Sequence, residues 1–162
     1  MPSHLVIVES PAKAKTISKY LGRGYRVLAS VGHVRDLPPK ELGVDIQNGF
    51  TPTYQVSKGK GKIIRELKEA ARESNLVYLA MDPDREGEAI AWHVGEVTNL
   101  EESKTRRIVF YQVTKGAIQE ALQNPRGLDR DLIDAQQSRR VLDRLVGYKI
   151  SPLLSKTMRR PL

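Results

Sequence analysis

The run Leu5-Val6-Ile7-Val8 is continuous, apolar and rich in β-branched residues, the pattern of a strand buried on both faces of a parallel sheet. It stops at Glu9. Ser10 then supplies an N-cap, Pro11 suits the first helical position, and Ala14, Ile17 and Leu21 recur at helical spacing until Gly22 and Gly24 end the helix. Arg26 to Val31 reads as a second strand closing at Gly32-His33, and the prolines and glycines from Pro38 to Pro52 predict a long irregular connection. Ile63, Ile64, Leu67, Ala70 and Ala71 form a helical stripe, and Leu76 to Met81 form a third strand that ends at Asp82. A helix is predicted over Arg85 to Val97, with Ile90, Val94 and Val97 facing inward, then a fourth strand over Arg107 to Phe110 and a short helix from Thr114. Asn124-Pro125-Arg126-Gly127 breaks the chain, and Leu132 to Tyr148 reads as a long helix.

Strands that alternate with helices imply right-handed βαβ units, and so an α/β fold: a four-stranded parallel sheet flanked by helices, with a C-terminal helical segment. The breaker places a boundary at 124, giving units 1–124 and 125–162. In such folds ligands bind beyond the carboxyl ends of the strands. Glu9, His33, Asp82 and Gln112 all fall at or just past predicted strand ends, so distant parts of the chain are expected to converge on one edge.

Asp82-Pro83-Asp84-Arg85-Glu86-Gly87-Glu88 packs four carboxylates into seven residues after a buried strand. One explanation is capping, with Asp84 as N-cap and Glu86 and Glu88 in a first turn favoured by the helix dipole. Capping needs only one or two acids, whereas four held close repel one another unless a cation relieves them. A hard divalent ion such as Mg2+ accepts carboxylate oxygens and can bridge to phosphate, which makes Asp82, Asp84 and Glu86 candidate ligands.

Glu9-Ser10-Pro11-Ala12-Lys13 brings a carboxylate and an ammonium to the same edge. Lys13 falls in a first helical turn, where the dipole opposes it, so local helix stability does not account for it. Free N–H groups, a positive helix end and a lysine suit an anionic phosphate, and Glu9 beside them is placed to move a proton to or from a reacting oxygen. His33, in Val31-Gly32-His33-Val34-Arg35-Asp36, is open to a functional or a structural reading. His93, next to Trp92 within a helix, reads as structural. The six tyrosines read as packing or rim residues, with no context that marks a nucleophile.

Charge sharpens this picture. The 162 residues carry a formal net charge of +8, which points to a polyanionic partner, nucleic acid first. Residues 139 to 162 hold seven basic residues, among them Arg139, Arg140 and Arg144, against the single acid Asp143, and so read as a phosphate-tracking surface. Lys58, Lys60 and Lys62 alternate with Gly59 and Gly61 as a second backbone contact. The absence of cysteine excludes disulfides and thiolate zinc sites. No apolar run spans a bilayer and no leader is evident, so a cytoplasmic location is expected.

Four segments together resemble the type IA DNA topoisomerases of bacteria: residues 5–15, LVIVESPAKAK; 30–38, SVGHVRDLP; 82–93, DPDREGEAIAWH; and 134–144, DAQQSRRVLDR. The resemblance covers essentially the whole chain, in family order. It implies a Toprim (Rossmann-like) fold over 1–124, with Mg2+ held by Asp82, Asp84 and Glu86 together with Glu9, which is also the acid-base group. Lys13 would contact the scissile phosphate. His33, Arg85, Arg140 and Arg144 would serve the DNA-bound site, and Arg139 with Asp143 would belong to the first helix of a neighbouring DNA-binding domain beginning in 125–162, Arg139 acting in catalysis. Family members cut one DNA strand with a tyrosine, hold it as a 5′-phosphotyrosine, and relax negatively supercoiled DNA without ATP. That tyrosine lies in a later domain, so this chain is expected to contain no nucleophile and to be inactive alone. Its partners would be DNA, single-stranded or underwound and nucleoid-associated, and the remaining topoisomerase domains, with no membrane. Gln112 stands where members often have glutamate. The rival readings are a self-sufficient Toprim nuclease or primase-like enzyme, and a noncatalytic nucleic-acid-binding module.

Overall fold

The computed structural model describes residues 3–158, with side chains through Tyr148. Strands β1 (His4–Val8), β2 (Tyr25–Ala29), β7 (Leu76–Leu79) and β8 (Thr105–Arg107) form one parallel sheet in the order β2-β1-β7-β8. Alternation along the strands sorts side chains between two cores. Leu5, Ile7, Val77 and Leu79 meet Ile64, Leu67, Ala70 and Ala71 of α2 (Gly61–Arg72) and Ile90, Ala91 and Val94 of α3 (Arg85–Thr98). Val6, Val8, Tyr78 and Ala80 meet Ile17 of α1 (Pro11–Tyr20) and Ile118 and Ala121 of α4 (Lys115–Gln123). From β1 the chain crosses through α1 to one side of the sheet, and from the adjacent β7 it crosses through α3 to the other. The carboxyl ends of β1 and β7 therefore flank a switch point, the usual seat of a ligand crevice.

Three strands end elsewhere than the sequence predicts. The third pairs only over Leu76–Leu79 rather than on to Met81. The second strand stops at Ala29 because Val31 and Gly32 both have positive φ, 56° and 75°, and turn the chain out of the sheet. The fourth comprises Thr105–Arg107 rather than Arg107–Phe110, since pairing with β7 runs out at Leu79↔Arg107. Ile108 and Phe110 are buried just beyond it.

The connection expected to be irregular is ordered by two small antiparallel pairs: β3 (Arg35–Asp36) with β6 (Gln55–Val56), and β4 (Val44–Asp45) with β5 (Thr51–Pro52). A single 3-10 turn over Ile46–Asn48 and the left-handed Gly49 reverse the second pair. Arg35 ties the loop to α3. Its guanidinium lies over the rings of Tyr54 and Trp92, 5.1 and 4.7 Å from their centroids, and its Nε donates to Nδ1 of His93 at 2.6 Å.

Helix α5 (Arg130–Met158) follows an N-terminal Asp129 whose carboxylate accepts from the N–H groups of Asp131 and Leu132. Its first turns bury Ile133 completely and Gln136 almost so, and the helix packs on α3. Arg140 makes a two-point contact with Asp36, at 3.0 and 3.1 Å, and Arg144 donates to the carbonyls of Pro38, Glu41 and Leu42. No described helix is long and apolar enough to cross a membrane.

Ile133→Ala should destabilise the sheet and α5 together by about 2–5 kcal/mol in chemical denaturation followed at both elements; a transition confined to α5 would show that residues 125–162 fold apart from the sheet. His93 is buried, and that burial, with the positive Arg35 beside it, pushes its pKa down from the ordinary histidine value to about 3. The native imidazole thus stays neutral where the unfolded one takes up a proton, so its contribution to stability is whole above about pH 6.5 and declines as pH falls toward 3. His93→Gln should flatten that part of the stability profile, and an unchanged slope would contradict the assignment.

Candidate active site

Glu9 leaves the end of β1, and Lys13 stands one helical turn later on α1, where Ser10 caps the helix by accepting from the Lys13 N–H at 3.2 Å. The short strand-to-helix turn aims both side chains at the switch point. There the Lys13 ammonium donates to Glu9 Oε1 at 2.9 Å, to the Ala80 carbonyl at 3.1 Å and to Asp82 Oδ1 at 3.2 Å. The Phe110 ring lies 4.9 Å from the nitrogen, so the ammonium sits between two carboxylates and an aromatic face. Its side chain is 11% exposed and that of Glu9 18%, whereas Asp82 is 60% exposed and faces the crevice. Charges from β1, α1 and the loop after β7 thus meet on one nitrogen.

The remaining acids have separate local roles. Asp84 Oδ1 accepts from the Gly87 N–H at 2.7 Å and caps α3, so the capping explanation holds for this residue. Gly87 is required by a close approach: a Cβ there would lie 2.0 Å from the Asp82 carbonyl oxygen. Glu86, 57% exposed, meets His33 with 3.3 Å between Oε2 and Nε2. Arg85 is exposed on the first turn of α3.

Glu88 is the acid that sequence reasoning misjudged. It is completely buried rather than displayed on the first turn, and its oxygens accept from Arg107 Nε, Arg126 Nη1 and Nη2 and the Asp129 N–H at 2.8 to 3.1 Å. Burial alone would raise its pKa; the hydrogen bonds from Arg126 and the Asp129 backbone, together with Arg107, outweigh that and hold it below the ordinary carboxylate value. A signal was present in the sequence: Glu88 is followed by the small and apolar run Ala89, Ile90 and Ala91, a stretch of the helix that is buried all round. Arg107 carried none, since a basic residue at the head of an apolar run reads as a strand end.

Among the basic candidates, Arg139 pairs with Asp143 at 3.3 Å, and both side chains are more than half exposed. Arg140 and Arg144 instead secure the 36–42 loop. For Asp36, the tendency of burial to raise the pKa is outweighed by the Arg140 hydrogen bond and the Leu37 N–H, and the net shift is downward. Lys60 donates to the Val31 carbonyl, while Lys58 and Lys62 are exposed. Gln112 is exposed beside Tyr111, a residue 84% exposed and next in the chain to Phe110. The basic residues beyond Tyr148 lie outside the described side chains.

Among the described residues no three carboxylates or imidazoles already stand together as a finished metal site. The donors nevertheless suit a hard cation. Glu9 Oε1 shares the Lys13 ammonium with Asp82, while Glu9 Oε2 is buried without a hydrogen-bond partner, an oxygen with unmet acceptor capacity on the same carboxylate.

Comparison with known proteins bears on the fold that carries these residues. A solved structure of full-length topoisomerase I from Thermotoga maritima superposes with a TM-score of 0.85 and is 49% identical, the match covering 93% of this chain and 26% of that one. The chain thus spans about a quarter of that relative. The family model of the Toprim domain matches residues 4–113, which takes in the whole parallel sheet and both the Glu9 and Asp82 turns, and the chain belongs to that family.

Proposed function

We propose that the chain is the amino-terminal portion of a type IA DNA topoisomerase, an isomerase that relaxes negatively supercoiled DNA by cutting and resealing one strand. The observation that carries this reading is the Lys13 ammonium bridging Glu9 and Asp82 at the switch point, in a Toprim chain 49% identical to a topoisomerase I. In this reading the single-stranded or underwound DNA enters over the rim, and Lys13 exchanges one of its carboxylate contacts for the scissile phosphate. An ammonium has three donors, and all three are engaged here, so phosphate binding requires such an exchange. Glu9, released from its lysine contact, takes or returns the proton of the reacting oxygen.

Mg2+, when held by Asp82, Asp84 and Glu86 with Glu9, supplies positive charge beside the phosphodiester. His33 orients Glu86, whose Oε2 lies 3.3 Å from its Nε2. In this reading a DNA-binding domain begins within 125–162, with Arg139, paired to Asp143 on α5, acting at the phosphate and Arg85, Arg140 and Arg144 supporting the DNA-bound state. The nucleophilic tyrosine belongs to the remaining domains, and its 5′-phosphotyrosine conserves the bond energy, so resealing needs no ATP. A topoisomerase of this kind works on the nucleoid in the cytoplasm.

Replacing both Asp82 and Asp84 by Asn should reduce Mg2+ affinity at least tenfold in calorimetric titration, because it removes the charge of two proposed ligands; wild-type affinity would defeat the metal assignment. The isolated chain should bind DNA weakly and leave supercoiled plasmid unrelaxed. Joining it to the tyrosine-bearing domains should restore Mg2+-dependent relaxation through a covalent 5′ adduct. Strand cutting or primer synthesis by the chain alone, without an adduct, would favour a nuclease or primase-like enzyme. DNA affinity indifferent to both Mg2+ and the acidic residues would favour a noncatalytic binding module.

A further inference from the structure

Arg107 is the largest fully buried side chain of the described residues, and it is a cation. Its Nε donates to Glu88 Oε1, its Nη1 to the carbonyls of Leu79, Met81 and Ile108 at 3.1, 2.8 and 2.9 Å, and its Nη2 to the carbonyl of Asp82 at 2.7 Å. The Met81 and Asp82 carbonyls lie past the end of β7, where no neighbouring strand continues the ladder. The guanidinium takes the place of that strand. From the other side the Asp82 carbonyl presses on α3 at Gly87, where there is no room for a Cβ. The backbone of the acidic turn is thereby held between a rigid fork of donors and a helix.

Behind Arg107, Glu88 also accepts from Arg126 and from the Asp129 N–H. The backbones of Arg107 and Arg126 exchange a pair of hydrogen bonds at 2.8 Å. The connection from α4 to α5 is therefore joined to the Asp82 turn through two buried charges. Core stability is a poor explanation for this, since replacing a buried ion pair by apolar side chains is often neutral or stabilising. A planar guanidinium does offer something an apolar side chain cannot, which is donors at fixed angles.

The geometry points to Arg107 and Glu88 as positioning residues that fix the Asp82 turn, through which the 126–129 connection sets how Asp82 meets a divalent cation. This rests on the reading of Asp82 as a cation ligand. Arg107→Lys keeps the charge and can still pair with Glu88, but its three donors cannot reproduce the five-donor fork. Arg126→Gln removes a partly exposed guanidinium that lies behind Glu88, away from the turn.

The test is Mn2+ affinity by electron paramagnetic resonance, with amide hydrogen exchange at Gly87, whose N–H reports the Asp84 cap, compared with exchange along α2. Arg107→Lys should weaken Mn2+ binding about tenfold, the usual order for loss of an outer partner of a ligand, and should accelerate exchange at Gly87 but not along α2. Arg126→Gln should do the same to a smaller, several-fold extent, and it carries the test if Arg107→Lys does not fold. Wild-type Mn2+ affinity and Gly87 exchange in a folded variant would overturn the proposal, and so would equal acceleration at Gly87 and along α2. Asp82→Asn separates the two readings. If it leaves Mn2+ binding intact the cation assignment fails, and Gly87 exchange in the arginine variants then decides the positioning role alone.

Discussion

Glu88 and Arg107 are both removed from solvent, and taking such charges out of water costs several kcal/mol per ion unless their hydrogen-bonding capacity is filled. Here it is filled. Glu88 accepts four hydrogen bonds, counted as one from Arg107, two from Arg126 and one from the Asp129 backbone, and every Arg107 nitrogen donates. Three of the four carbonyls that Arg107 binds, those of Leu79, Met81 and Asp82, belong to the end of β7 and to the turn that follows. A strand that would otherwise fray at its carboxyl end is therefore terminated against a buried cation, and the crevice gains a rigid floor.

The same residue type acts differently elsewhere in the chain. Arg35 is held between two aromatic rings and donates to a neutral histidine, Arg140 grips a carboxylate at two points, and Arg144 gathers three carbonyls of one loop. These three join the loop after β2 to α3 and α5, and that loop carries His33 to Glu86. Part of the positive charge that suggests a polyanionic partner is thus spent on internal architecture. Arg139, Lys58 and Lys62, which keep their exposure, are the better measure of what faces a ligand.

The sheet and its helices were legible because buried parallel strands leave unbroken apolar runs, and because caps such as Ser10 and Asp84 mark helix starts. Glu9, Lys13 and Asp82 were legible for a related reason: polar residues directly after such runs have to emerge at one edge. The end of β2 was not, since nothing in Ala29-Ser30-Val31 announces a valine with positive φ. The small antiparallel pairs are too short to show periodicity. Glu88 was hidden among acids that look alike in sequence, and only its distant partners Arg107 and Arg126 distinguish it. Long-range pairing of charges is the part of the fold that local pattern does not encode.

The electrostatics of the crevice bear on how a basic chain and an acidic rim can serve one reaction. A net charge of +8 attracts a polyanion, yet the strand ends present Glu9, Asp82, Asp84 and Glu86 to it. Lys13 balances one of these charges locally, and two of the acids remain mostly open to water. A phosphodiester brought to Lys13 would therefore meet uncompensated carboxylates a few ångströms away, a repulsion of about 1 to 4 kcal/mol per pair depending on the local dielectric. Arg85 on the next turn is exposed, and solvent screens it too well for it to remove that repulsion. A compact multivalent cation held by those same oxygens would convert the repulsion into attraction, which is the physical argument for reading the acidic turn as a cation site rather than as helix capping alone.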